Sequence, residues 1–236
     1  MLAATLVRPG GGFQAAEDAA ATSPRAQARP AFKLRSNAGS RARLLGAPHP
    51  DTPMALKATI FKATLQLADM DRNLYADHAV TVARHPSEND ERLMVRLLAY
   101  ALSVPADDSR GTLDFAKGLW EADEPELWQK DLTGALVQWI EIGQPDDKRL
   151  LKASARSERA ACWAHGSSTP IWWSGIATKL TRAQNLTVWQ VPAAQAQQLA
   201  TLARRTMQLQ ITVQDGTVWV SDGEQSVEVQ PARLMG

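Results

Sequence analysis

The chain has 236 residues and a formal net charge of +1, and its content of 44% hydrophobic and 22% charged residues is typical of a soluble globular protein. No apolar run reaches the roughly 18 residues of a membrane-spanning helix, so a membrane partner is excluded. The single cysteine, Cys162, excludes an internal disulfide and makes a reducing cytoplasm the expected location.

The first 53 residues differ in composition from the rest of the chain. They hold seven basic and three acidic residues and are rich in Ala, Arg, Gly, Pro and Ser, without a sustained apolar period. Such a segment cannot bury enough apolar surface to offset the entropy of ordering it, so we expect residues 1–53 to be a disordered extension. An Arg-rich organelle presequence is one interpretation. A start codon at Met54, where strand-like patterning begins, is the interpretation that we favour.

Residues 54–236 are expected to form a single domain, which holds 19 basic and 22 acidic residues. Tight nonspecific binding to duplex DNA needs several phosphate-neutralising cations on one face of a protein. The acidic balance therefore counts against a high-affinity DNA-binding module.

The domain is predicted to begin with a β-hairpin and a helix. Residues 57–67 alternate apolar and polar side chains, which predicts a half-exposed strand, and residues 78–84 are its predicted partner. Ser87 is the expected N-cap of a helix over 88–103, because acidic side chains follow it in the first turn.

The remaining residues alternate between strand and helix patterns. The predicted elements are strands at 112–119, 134–142, 160–165 and 186–191, a short helical turn at 125–130, and helices at 145–157, 170–180 and 193–205. The strand at 134–142 is apolar enough to be buried on both faces. Asp-Gly dipeptides at 215–216 and 222–223 predict C-terminal hairpins. This alternation predicts an α/β fold, of the α+β kind with a mixed sheet.

Acidic side chains surround the apolar strand at the centre of this pattern. Glu141 lies near its end, Asp131 precedes it, Asp123 lies in the loop before, and Lys152 follows on a basic helix. Magnesium-dependent cleavage of a phosphodiester needs two or three acidic oxygens around a hard cation, with a lysine nearby. The sequence therefore predicts a Mg²⁺ site formed by these residues, with Glu91 contributed from the first helix.

Each of these residues also has a structural interpretation. Asp123 fits a solvated acidic loop, Asp131 fits a turn or cap, and Glu91 fits a first-turn charge that complements the helix dipole. Lys152 fits the solvated side of its helix. Glu141 is the hardest to explain structurally, because a charge between large apolar neighbours is costly without a partner.

Other catalytic motifs are missing from the sequence. The four histidines lack the spacings of a zinc site. No glycine-rich phosphate-binding motif lies between a strand and a helix, and no GxSxG is present. The acidic strand end is thus the one candidate for chemistry.

Seven ordered stretches between Met54 and Val229 carry a family resemblance: MALKATIFKATLQLADMDRN, ARHPSENDERLMVRLLAYAL, DEPELW, WIEIGQPDDKRLLKA, IWW, NLTVW and RTMQLQITVQDGTVWVSD. With these stretches the chain resembles the YaeQ family of small bacterial proteins. The resemblance implies a restriction-endonuclease-like core, a variant of the PD-(D/E)xK superfamily. On that pattern Asp131 fills the first acidic position, Glu141 fills the (D/E) position, and Glu91 is the helix acid.

The chain departs from the superfamily pattern at two positions. Gly143 stands where the motif has its lysine, and Lys130 rather than a proline precedes Asp131. A lysine can be supplied from a neighbouring helix in this superfamily, and Lys152 is the candidate.

The sequence supports two functional hypotheses. In the first, the chain is a Mg²⁺-dependent nuclease or phosphodiesterase, with Asp131 and Glu141 as metal ligands, Glu91 and Asp123 in support, and Lys152 polarising the phosphate or the attacking water. In the second, it is a catalytically silent nuclease-like domain that binds nucleic acid or a protein partner, for example in transcription. Convergence of the acids would favour the first hypothesis, and pairing of Glu141 with an arginine would favour the second. The oligomeric state stays open.

Overall fold

The computed structural model describes residues 58–236, so the expected extension over 1–53 and the start at Met54 lie outside the described residues. The described residues form eleven strands and four α-helices: β1 (Thr59–Asp69), β2 (Leu74–Arg84), α1 (Asp90–Ser103), β3 (Leu113–Phe115), β4 (Leu127–Lys130), β5 (Leu136–Ile142), α2 (Asp147–Arg156), β6 (Arg159–His165), α3 (Thr169–Ile176), β7 (Leu186–Val191), α4 (Ala193–Ala200), β8 (Thr206–Gln214), β9 (Thr217–Ser221), β10 (Ser226–Val229) and β11 (Ala232–Met235). Single turns of 3-10 helix lie at Gly118–Trp120 and Ala177–Lys179. None of the helices in this range has the length and apolar character needed to cross a membrane.

Sheet A contains five strands in the order β10-β9-β8-β1-β2. β1 and β2 form an antiparallel hairpin, and β1 pairs with β8 in parallel along its other edge. Every second residue of β1 from Phe61 to Asp69 is buried. The predicted half-exposed strand is therefore confirmed, with its partner strand longer than the predicted 78–84.

Sheet B contains six strands in the order β11-β7-β6-β5-β4-β3. Its three central strands, β5, β6 and β7, run parallel, β4 and β11 are antiparallel to them, and the edge strand β3 pairs antiparallel with β4. All residues of β5 from Val137 to Ile142 are buried, as the apolar pattern predicted. The fold is thus a mixed α+β arrangement with two mixed sheets, where the sequence indicated one.

The helices divide the core into two clusters. α1 and α4 pack with sheet A and with one face of sheet B in the larger cluster. α2 and α3 cover the other face of sheet B, around Trp139, Leu150 and Cys162. Sheet B is therefore covered on both faces, which explains why its central strands lack polar alternation.

The prediction that Ser87 caps the first helix was wrong. The helix begins two residues later than this cap implies, and the Asn89 side chain accepts a hydrogen bond of 2.9 Å from the Arg92 backbone N–H. The Ser87 hydroxyl instead lies 2.6 Å from Nδ1 of His85. Both residue types cap helices well, so composition alone did not choose between them.

The helical turn predicted at 125–130 was also wrong, because this segment contains strand β4. Leu127 and Gln129 are buried in alternation with Trp128 and Lys130, and the strand pairs with both β3 and β5. The strand conformation is stabilised by these pairings with other parts of the chain, which the local sequence pattern does not indicate. The short edge strand β11 was not predicted.

Candidate functional site

The candidate site is a cleft of about 430 Å³ at the carboxyl end of β5, here called the strand-end cleft. Its polar lining residues are Arg92, Glu126, Glu141, Gln144 and Arg149. β5 ends where Gly143 takes up a positive φ of 96° and donates its N–H to the Trp163 carbonyl oxygen at 2.9 Å. Glycine reaches this conformation without the steric penalty of a side chain, so it can turn the chain towards α2 at this point.

Glu141 is buried at the end of β5, with 3% of its side chain exposed. Its Oε1 accepts a hydrogen bond of 2.7 Å from the Trp139 indole N–H, and Nε of Arg149 lies 2.8 Å from the same oxygen. Burial raises the pKa of Glu141 above its ordinary value, while the Trp139 hydrogen bond and the Arg149 charge act in the opposite direction. Glu141 is thus the buried half of an ion pair.

Arg149 ties the acidic loop before β4 to the strand end. It follows the α2 N-cap Asp146, whose side chain accepts its backbone N–H at 2.8 Å. Its Nη1 donates to the Ala122 carbonyl at 2.6 Å and its Nη2 donates to the Glu124 carbonyl at 2.7 Å. All three arms of the guanidinium therefore have acceptors within the protein.

A second set of charges, Glu88, Arg92, Arg96 and Glu126, lies between α1 and the start of β4. Arg92 Nη2 is 2.5 Å from Glu126 Oε1, and Arg92 Nη1 is 3.2 Å from Glu88 Oε1. Arg96 contacts both acids, at 2.9 Å from Glu88 and 3.1 Å from Glu126, although the second pair lacks hydrogen-bond alignment. Burial opposes the charge of Arg92, but its bonds to Glu126 and Glu88 outweigh burial and raise its pKa above the ordinary value.

The carboxylate of Glu126 packs directly against the backbone of Gly118. Gly118 has φ of 51°, and a Cβ atom there would fall closer to the Glu126 carboxylate than Cβ atoms approach in proteins. The 3-10 turn at 118–120 can therefore lie over the charge cluster only because residue 118 has no side chain.

Gln144, which follows β5 and lines the same cleft, connects the cleft to the end of β6. Its Nε2 donates to the His165 carbonyl at 3.0 Å and lies 3.2 Å from Oγ1 of Thr169. Burial, together with the nearby charge of Arg92, lowers the pKa of His165 to about 4. His165 is therefore neutral at physiological pH, and its buried Nδ1 has no hydrogen-bond partner among residues 58–236.

The structure does not bring the predicted acids together. Asp131 lies in a tight turn beyond β4, where its carboxylate accepts the N–H groups of Thr133 and Ala135. The Thr133 hydroxyl bond is the largest cause that lowers the pKa of Asp131. Ala135 stands immediately before β5, six positions before Glu141. Because a strand rises about 3.3 Å per residue, the turn that holds Asp131 lies roughly 20 Å from the cleft.

The other predicted residues are placed as follows. Lys152 forms an ion pair with the exposed Asp123 rather than with Glu141. Glu91 is half-buried in the first turn of α1. Across residues 58–236, no three His, Cys, Asp or Glu side chains are close enough to hold a metal ion together.

Sequence reasoning missed the residues that do converge, namely Glu88, Arg92, Arg96 and Glu126, and it did not foresee that Arg149 pairs with Glu141. A signal for them was present. Arg92 and Arg96 are spaced four residues apart, which places them on one side of α1, and Glu88 lies four residues before Arg92, just ahead of the helix. A buried arginine within an apolar stripe requires a buried acid as its partner, and Arg96 has Glu88 at 2.9 Å and Glu126 at 3.1 Å.

Comparisons with known proteins agree on one family. A family model described as "YaeQ protein" matches residues 54–231. An uncharacterized protein YaeQ of Salmonella typhi is 44% identical over 178 residues, which cover 75% of this chain and 96% of that protein. An uncharacterized protein YaeQ of Escherichia coli (strain K12) is 43% identical over 177 residues, which cover 75% and 95%.

Two solved structures are similar to this fold. The crystal structure of the YaeQ protein from Xanthomonas axonopodis pv. citri has a TM-score of 0.71 at 43% identity, covering 76% of this chain and 99% of that chain. The crystal structure of the YaeQ protein from Pseudomonas syringae has a TM-score of 0.70 at 38% identity, covering 76% and 97%. The region that the family model matches, residues 54–231, includes every lining residue of the strand-end cleft.

Proposed function

The chain belongs to the YaeQ family, and from that premise we propose that it is a non-catalytic binding domain with a restriction-endonuclease-like core. The observation that carries the proposal is the pairing of Glu141 with Arg149, at 2.8 Å between Nε and Oε1. Glu141 is the acid at the end of the central strand, where a nuclease of this fold class holds its metal ion. In this chain a guanidinium occupies that place.

A divalent cation would have to compete with fixed positive charges. Mg²⁺ binds carboxylate oxygens at about 2.1 Å, so a cation on Glu141 would lie next to the Arg149 guanidinium. Arginine does not lose its proton in proteins, and the repulsion therefore persists at every pH of interest. Glu126, the second acid of the cleft, is engaged in the same way by Arg92 and Arg96.

The cluster as a whole is close to electrical neutrality. Glu88, Glu126 and Glu141 face the guanidinium groups of Arg92, Arg96 and Arg149. Paired buried charges of this kind position chain segments and seldom add much net stability. This arrangement supports a scaffold role for the charges rather than a hydrolytic one.

A protein partner fits the surface better than a nucleic acid does. Residues 54–236 carry more acidic than basic side chains, and the arginines of the cleft are already paired. Next to the cleft, Leu119 and Trp120 on the 3-10 turn are 47% and 42% exposed. Large exposed apolar side chains, with tryptophan foremost, are the residues that anchor protein interfaces.

Titration of the full chain with Mg²⁺ and Mn²⁺ by isothermal calorimetry tests the absence of a metal site. We expect no saturable binding by the parent protein at millimolar metal. The opposite result would be saturable binding that Glu141→Gln abolishes and the control Glu224→Gln, in an exposed turn, retains. Metal-dependent cleavage of a nucleic acid by the same protein would then establish the nuclease.

Site-specific photocrosslinking tests the partner class. A photoreactive residue at Trp120 should give crosslinks to protein, and the same residue at Tyr75, which is exposed on sheet A, should not. Crosslinks from position 120 to nucleic acid instead of protein would overturn this part of the proposal.

The nuclease hypothesis keeps one observation in its favour. Glu126 and Glu141 line the same cleft, and the raised pKa of Glu141 is a property that catalytic acids share. The calorimetric titration decides between the two functions, because a nuclease of this class requires its metal and a binding domain does not.

A further inference from the structure

A larger cavity of about 570 Å³ lies between the two sheets, here called the inter-sheet cavity. The β1–β2 turn and the end of α1 close one side of it, and β5, β6 and β7 of sheet B form its floor. Its volume falls within the range of sites that hold small organic ligands. The strand-end cleft shares no lining residue with it.

The floor of the inter-sheet cavity is aromatic. Trp163 and Trp189 lie opposite each other on β6 and β7, with ring centroids 5.6 Å apart and planes 14° apart. The Arg233 guanidinium on β11 lies over the other side of Trp189, at 5.9 Å from the ring centroid. These three side chains form a ladder across neighbouring strands, and the two indole rings give the cavity an apolar lining against which a flat ligand can pack.

Two arginines at this floor have no acidic partner among the described residues. Arg159 lines the cavity, and it also lines an adjoining groove of about 300 Å³ together with Arg233. Both side chains are exposed and neither forms an ion pair within residues 58–236. No carboxylate lines the groove. This contrasts with the strand-end cleft, where each arginine is matched by an acid.

The two acids of the cavity are already engaged elsewhere. Asp69 is paired with Arg72 at 2.6 Å. Asp71 accepts the backbone N–H groups of Asp215 and Gly216 at 2.8 Å and 2.9 Å. Neither acid therefore neutralises the positive charge of Arg159 and Arg233.

The aromatic floor also holds an unsatisfied donor. The indole N–H of Trp163 is buried and donates to no acceptor in the described part of the chain. Buried polar groups without partners are rare in native structures, and each calls for a physical reason. A bound molecule with an acceptor atom would remove this cost.

We infer that the inter-sheet cavity binds a small organic anion with a flat apolar body. The body packs against the indole rings of Trp189 and Trp163 that line the cavity, and a carboxylate or phosphate group is bound by Arg159 and Arg233, whose planar forks suit such groups. The apolar body explains the aromatic floor, and the anionic group explains the two unmatched charges. The inference holds independently of the protein partner proposed above.

Calorimetric titration of the full chain with 1-naphthoate, a planar aromatic carboxylate, tests the inference. The neutral analogue 1-naphthamide has the same ring and lacks the charge. We expect saturable binding of naphthoate, and binding of naphthamide weaker by about tenfold or more, because a charged hydrogen bond is lost. Arg159→Gln and Arg233→Gln should each weaken naphthoate binding by about tenfold and leave naphthamide binding unchanged.

The matched control is Arg182→Gln, which removes an exposed arginine that lines neither the cavity nor the groove. It should bind naphthoate as the parent does. Thermal unfolding of each variant checks that the fold is intact. The inference is overturned if the parent shows no saturable naphthoate binding at millimolar concentration. It is equally overturned if naphthamide binds as tightly as naphthoate, or if the arginine variants at 159 and 233 match the control.

Discussion

At the scale of single residues, the charge cluster depends on close approach. Gly118 lets the 3-10 turn lie against the Glu126 carboxylate, and burial, together with the nearby charge of Arg92, lowers the pKa of His165 and keeps its imidazole neutral. Substitution of Gly118 tests the first contact, and substitution of His165 tests the second.

Replacement of Gly118 by alanine should destabilise the protein more than replacement of Gly134. Both glycines have positive φ, 51° and 85°, so alanine is strained by about 1 to 2 kcal/mol at either position. At Gly118 the added methyl group also collides with Glu126, whereas at Gly134 it meets no atom within 4 Å. Urea unfolding should give a free-energy loss for Gly118→Ala that exceeds the loss for Gly134→Ala by at least about 1 kcal/mol. Equal losses of unfolding free energy in the two variants would mean that the Glu126 side chain moves away from the added methyl group at little cost.

His165 should make the fold sensitive to acid. Its pKa falls from the ordinary 6.5 to about 4 in the folded state, so the unfolded chain takes up the proton first. The associated stability is fully present above pH 6.5 and is lost as the pH falls towards 4, by about 3 kcal/mol in all. Urea unfolding between pH 7 and pH 4 should show a flatter profile for His165→Gln than for the parent. The control His85→Gln should follow the parent, and a His165→Gln profile as steep as the parent would contradict the assignment.

At the scale of elements, α1 is the helix on which the cluster is built. Glu88 lies just before it, Arg92 and Arg96 lie on it, and Asn89 fixes where it begins. At its other end Arg72 donates to the carbonyl oxygens of Ala101 and Val104, both at 2.9 Å. Both ends of the helix are therefore satisfied by side chains, which holds the arginines in register with Glu126.

Removal of the true N-cap should be measurable. Asn89→Ala removes the acceptor for the Arg92 N–H and should cost about 1 kcal/mol in urea unfolding. Ser87→Ala leaves that hydrogen bond intact and should cost less. The reverse order would restore Ser87 as the cap that the sequence pattern indicated.

The sequence predicted most helices and strands well, because their apolar periods are long. The half-exposed β1, the buried β5 and the alternation from β5 to α4 all follow from patterns of this kind. β4 escaped prediction because four residues carry too little pattern, and its strand character comes from pairing on both edges. Only the folded chain brings those partners together.

The site was predicted less well than the fold, and the reason is physical. Glu141 was singled out correctly as a charge that needs a partner, and Arg149 supplies one from eight residues away. Whether such a partner is a metal ion or a guanidinium depends on distances that chain spacing does not give. Glu126 was not singled out, although only 2% of it is exposed, because its two arginine partners come from a helix 30 or more residues earlier in the chain.

At the scale of the whole molecule, sheet B separates two kinds of surface chemistry. The strand-end cleft lies at the carboxyl end of β5 and holds matched charges. The inter-sheet cavity lies on the face of sheet B that meets sheet A, where Trp163, Trp189 and the unmatched Arg159 line it and the unmatched Arg233 lines the adjoining groove. Charges that are paired within the protein help to hold chain segments in place, whereas unpaired charges are available to bind a charged ligand, so the two sites have different physical roles.

The parallel pairing of β1 with β8 has a consequence for synthesis on the ribosome. Residues 70–205 separate the two strands, yet they are neighbours at the centre of sheet A. Translation proceeds at about 5 to 20 residues per second, so one edge of β1 stays unpaired for on the order of ten seconds while the intervening residues are synthesised. An unpaired edge is a template for unwanted strand pairing. Sheet A thus closes only after β8, β9 and β10 have been synthesised, and until then β2 is the one sheet A neighbour available to β1.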